Sequence, residues 1–74
     1  MNITNALEIA DMYVTRAANA PTPELLSLLY RSSLNSIHAM YAAGLLSATE
    51  NEECLKRFVD TCQRRQIEIT GVQP

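Results

Sequence analysis

The sequence predicts an all-α fold of three helices. Apolar residues recur at three- and four-residue steps through most of the chain. Helix-start signals stand at three places: Asn5 with Glu8, Thr22-Pro23-Glu24, and Ser47 with Glu50. Two glycines and three prolines leave little room for a loop-rich fold. The expectation is a single helical domain over residues 1–74, with helices at about 3–19, 23–43 and 48–66 and an extended tail at 67–74. Its architecture is a three-helix bundle, or a helical hairpin plus an N-terminal helix, paired as a homodimer.

The first helix carries Ile3, Leu7, Ala10, Tyr13 or Val14, and Ala17 on one stripe. Asn5 and Glu8 form a capping pair, with Asn2 and Thr4 as alternative caps. Pro21 biases the residue before it away from helix and separates this element from the next.

The second helix has the clearest start. Thr22 caps, Pro23 suits the first helical position, and Glu24 meets the positive end of the helix dipole. Leu26, Tyr30, Ser33, Ile37, Met40 or Tyr41, and Gly44 define its main face, and Leu25, Leu28 or Leu29, and Ser32 widen it. Leu25, Leu28, Leu29 and Leu34 cannot all face one three-helix core, so part of this helix is expected to meet a second chain. Gly44 ends it as the left-handed residue of a Schellman cap, with Leu45 placed to touch Met40.

Ser47-Ala48-Thr49-Glu50 opens the third helix as a capping box, with Thr49 and Glu52 offering a second register. Glu50, Glu52 and Glu53 crowd its first turns, and Arg64 and Arg65 stand near the expected end, both favourable to the dipole. Glu52–Lys56, Glu53–Arg57 and Asp60–Arg64 are spaced as i,i+4 ion pairs. Leu55, Phe58, Val59, Cys62 and Gln66 or Ile67 form the expected buried stripe. Beyond Arg65 the pattern alternates, with Ile67, Ile69 and Val72 against Glu68 and Thr70, which reads as extended.

Composition narrows the function. The chain has 74 residues, 47% of them apolar and 19% charged, as in a globular domain rather than a disordered one. No apolar run approaches the roughly 18 residues of a membrane span. Met1 to Asn5 place no basic residue ahead of the first apolar stretch, a poor match to a signal peptide, so a cytoplasmic location is expected. The net charge of −2 supplies no basic surplus for phosphate binding.

Four groups of residues carry chemistry worth weighing. His38 is the single histidine, at the edge of the apolar face, and neither Ser33 nor Ser36 has the setting of a nucleophile beside it. Cys54 and Cys62 stand eight residues apart, about 12 Å along a helix, too far for a bridge. No second cysteine pair completes a zinc site, so no metal or cofactor is expected. Cys62 reads as a small core residue and Cys54 as a flank residue open to solvent. Lys56, Arg57, Arg64 and Arg65 are the one basic cluster and the candidate nucleic-acid-binding set. As a helix-turn-helix, however, the groove-entering end would be Glu50, Asn51, Glu52 and Glu53, which phosphate repels. Ser27, Ser32, Ser33, Asn35 and Ser36 interleave the leucines of the second helix and permit a close helix crossing.

The stretch from Met40 to Phe58 runs helix, Gly44-Leu45-Leu46-Ser47, Glu50, helix, with Lys56-Arg57 following. It is similar to the short helical hairpins called SHOCT domains, except that those carry an aromatic after the acidic residue where this chain has Asn51. In size and acidity the chain also looks like the small helical proteins that phages and plasmids encode to modulate host machinery.

The expected function is a small non-enzymatic protein–protein interaction module, a modulator or inhibitor of a partner complex that acts by occupying a surface. Leu28, Tyr30, Arg31 and Leu34 are the expected partner-binding residues, since Tyr and Arg often anchor interfaces. The alternative is a nucleic-acid-binding regulator that uses the basic third helix.

Overall fold

Asn5, Thr22 and Ser47 begin the three helices of the computed structural model, which describes residues 5–71. These are α1 (Ala6–Ala18), α2 (Pro23–Ala42) and α3 (Ala48–Thr70). Each start has its own chemistry. The Asn5 side chain accepts a hydrogen bond from the Glu8 amide at 2.9 Å, and Thr22 Oγ1 accepts one from the Leu25 amide at 3.2 Å. At α3 the box closes in both directions: the Glu50 amide donates to Ser47 Oγ at 3.1 Å, and the Ser47 amide donates to Glu50 Oε1 at 2.8 Å. The expected start at residue 3, with Asn2 and Thr4 as caps, lies outside the described residues.

The turn between α2 and α3 is the expected Schellman cap. Gly44 takes φ +79°, its amide donates to Tyr41 O at 3.0 Å, and the Leu45 amide donates to Met40 O at 2.9 Å. The side chains depart from expectation. Leu45 stays 64% exposed, and Leu46 turns into the core instead.

The tail reading is overturned over residues 67–70, and residues 72–74 lie outside the described residues. Residues 67–70 continue α3, which ends where Gly71, at φ +71°, donates its amide to Ile67 O at 2.7 Å. Nothing between Arg65 and Gly71 breaks a helix, and an alternation this short does not decide between helix and strand. In the helix Ile69 packs against the core and Ile67 faces outward. The longer α3 also leaves Arg64 and Arg65 outside the last turn, which carries no basic residue.

Phe58 and Ile37 are the largest fully buried side chains. Around them lie Ala6, Ala10 and Ala17 of α1, Leu26 and Met40 of α2, Cys54 and Cys62 of α3, and Ala20 and Leu46 of the connections. The buried α1 residues are all alanines, with Ile9, Tyr13 and Val14 half-buried against the core beside them. On α1, Leu7 is 42% exposed and Ala6 takes the place expected of it, about 100° away around the helix. Cys54, expected at an open flank, is buried, one turn before Phe58 on the same stripe. Val59, expected within the stripe, is half-buried at its edge.

The ion pairs are also redistributed. Arg57 reaches across to Asp11 of α1, and Arg65 pairs with Glu68 at 3.2 Å. Among the described residues neither Glu52–Lys56 nor Asp60–Arg64 forms an ion pair. The molecule is a slab of 39 × 26 × 14 Å. Among the described residues no helix is long and apolar enough to cross a membrane.

Candidate functional site

A groove runs between α2 and α3. Leu26, Ser27, Tyr30 and Arg31 line it from one side, and Val59, Cys62, Gln63 and Gln66 from the other. The α3 residues are spaced i, i+3, i+4, i+7, one continuous helical stripe. The α2 residues are two adjacent pairs one turn apart. The groove encloses about 380 Å³.

Its floor is apolar and firmly held. The Tyr30 ring stacks over Phe58 with centroids 6.0 Å apart and planes 17° from parallel. Phe58 is itself fully buried, so the tyrosine body cannot sink further and its edge stays open to the groove. Beside it burial pushes the Cys62 thiol up to about 11. A thiol that keeps its proton at neutral pH behaves as a small apolar group rather than a nucleophile. Cys54 is raised likewise, by burial first and then by the Glu50 and Glu53 carboxylates.

The rim is polar. Gln63 and Gln66 offer amides, and Arg31 is the one charged residue of the lining. Among the described residues Arg31 makes no ion pair, so its guanidinium is available to a carboxylate from outside. An apolar floor beside two amides suits an apolar side chain carried next to a polar group.

The four residues expected to bind a partner do not form one patch. Tyr30 and Arg31 line the groove. Leu34, half-buried, lies one turn beyond Tyr30 on the same flank but outside the lining. Leu28 points away from it, into a shallow depression with Glu24, Ser27 and Arg31 on the outer side of α2. The α3 half of the groove escaped sequence reading. Its signal was the repeat Val59, Cys62, Gln63, Gln66, which the two glutamines disguise as a stripe fading to solvent.

The basic cluster is dispersed. Arg57 is engaged by Asp11, and Arg65 donates from Nε to Ala20 O at 2.8 Å, tying α3 to the turn after α1. Lys56 and Arg64 remain exposed, about 80° apart around the helix and ~12 Å apart along it. His38 is exposed on α2. Among the described residues no three His, Cys, Asp or Glu side chains stand where they can hold a metal ion. No protein family, no curated protein and no solved structure matches this chain.

Proposed function

We propose that this protein is a non-enzymatic protein–protein interaction module, active as a homodimer, that modulates a partner complex by occupying a surface of it. The observation behind this reading is the α2–α3 groove, an open apolar trough with the Tyr30 ring stacked on Phe58 in its floor and the amides of Gln63 and Gln66 on its rim. Tyrosine is among the residue types that dominate interface energetics, and Tyr30 is stacked on the buried Phe58. The partner feature it fits is a helix or extended segment that presents an apolar side chain beside a polar group able to bond the Gln63 and Gln66 amides.

The test is affinity capture from the native host lysate, comparing the natural chain with Gln63→Trp. Gln63 is exposed and lines the groove, so an indole there fills it without touching the core. One stoichiometric protein partner is expected with the natural chain and a loss of about tenfold or more with the variant. Capture indifferent to the substitution would remove the groove from the reading. Retention of nucleic acid alone, weakening steeply as salt rises, would replace the reading with the one based on Lys56 and Arg64.

A further inference from the structure

We infer that two copies of the chain pair through the outer face of α2, antiparallel, about a twofold axis at Leu28. This inference rests on the homodimer reading above and assigns the surface that makes it.

Leu28 is 63% exposed, with Leu25, itself 38% exposed, beside it. Glu24 stands one turn before Leu28 and Arg31 about one turn after, and together with Ser27 they enclose one shallow depression. Seven residues separate the two charges, about 10.5 Å along the helix, so they cannot reach each other within the chain. Among the described residues neither makes an ion pair. The face therefore reads acid, leucine, base, with neither charge in an ion pair.

A surface that meets a second copy of itself about a twofold axis must contain both halves of every contact. This one does. With the axis at Leu28 the two Leu28 side chains meet at the centre. Glu24 then faces Arg31 of the second copy, and symmetry supplies the reciprocal pair. In the same register Leu25 falls opposite the small side chain of Ser32, a large residue against a small one. A different protein as partner would need only the complement of this surface and would leave its internal symmetry without a cause.

The experiment is sedimentation equilibrium on the full chain and on Glu24→Arg, Arg31→Glu, the double variant and Leu28→Asp, with far-UV circular dichroism on each. By symmetry each single reversal turns two attractive pairs into two repulsive ones. The dimer dissociation constant is expected to rise about tenfold or more in each. The double reversal is expected to return to within a few-fold of the natural chain, because swapped charges face each other again. Leu28→Asp is expected to be monomeric with unchanged helicity; if it unfolds instead, the charge cycle alone decides. A dimer indifferent to both single reversals would overturn this surface and leave the homodimer reading standing. A chain that stays monomeric at millimolar concentration would overturn both.

Discussion

Cys62 shows how burial decides the chemistry of a single residue. Its thiol forms part of the groove floor, and its proton is held up to about 11 against an ordinary 9.0 because the thiolate would lose its hydration there. The consequence for stability follows from linkage. Between pH 9 and 11 the unfolded chain sheds this proton while the folded chain keeps it, so folding is fully supported below about pH 9 and weakens as pH rises. The loss is about 2 kcal/mol by pH 11. Urea unfolding at pH 8 and pH 10.5 measures it, with Cys62→Ala as the comparison. The midpoint is expected to fall with pH in the natural chain and to fall less in the variant. The remaining slope belongs partly to Cys54, whose thiol is shifted in the same direction. Equal slopes would mean that the folded protein hydrates the thiolate and that the groove floor is wet.

The elements owe their boundaries to local chemistry, which two substitutions on either side of one turn separate. Ser47→Ala removes the Oγ that caps the Glu50 amide and leaves the residue-47 amide still donating to Glu50 Oε1, and is expected to cost about 1 kcal/mol. Gly44→Ala meets no atom within 4 Å of the new methyl, so its cost, about 1 kcal/mol, is the left-handed backbone alone. Thermal unfolding of the two variants and their combination is expected to give nearly additive losses. A much larger loss for Gly44→Ala would mean that the turn also holds the α2–α3 packing. These boundaries were legible in the sequence because Asn5, Thr22, Ser47 and Gly44 act on neighbours within five residues. The main face of α2, with Leu26, Ser33, Ile37 and Met40, was legible for the same reason, since periodicity is local. What depended on contacts between helices was not. Cys54 and Ala6 went inside, Leu7 and Leu45 stayed out, and Arg57 chose Asp11 over Glu53 because the approach of α1 to α3 decided each case. The site divides the same way: Tyr30 and Arg31 could be named from residue type, but separating Leu28 from Tyr30 required the third dimension.

At the scale of the whole molecule, folding and association belong to one equilibrium. A chain of this size hides only about 60% of its extended surface on folding. Among the described residues eleven apolar side chains are buried, four of them alanines, and only Phe58 and Ile37 combine large volume with complete burial. Meanwhile Leu25 and Leu28 stay in water, so apolar surface that could stabilise the fold is uncovered until a second chain arrives. A partner that binds only the folded form raises its stability by mass action. For a homodimer above its dissociation constant, each tenfold rise in protein concentration contributes about 0.7 kcal/mol per protomer. In a domain of this size that raises the melting temperature by about 3–5 °C. Differential scanning calorimetry across the micromolar to millimolar range is expected to show that rise in the natural chain and a flat response in Leu28→Asp. A flat response in both would locate all of the stability within one protomer. The packing within one protomer would then suffice without help, and the exposed leucines of α2 would be left to the partner complex.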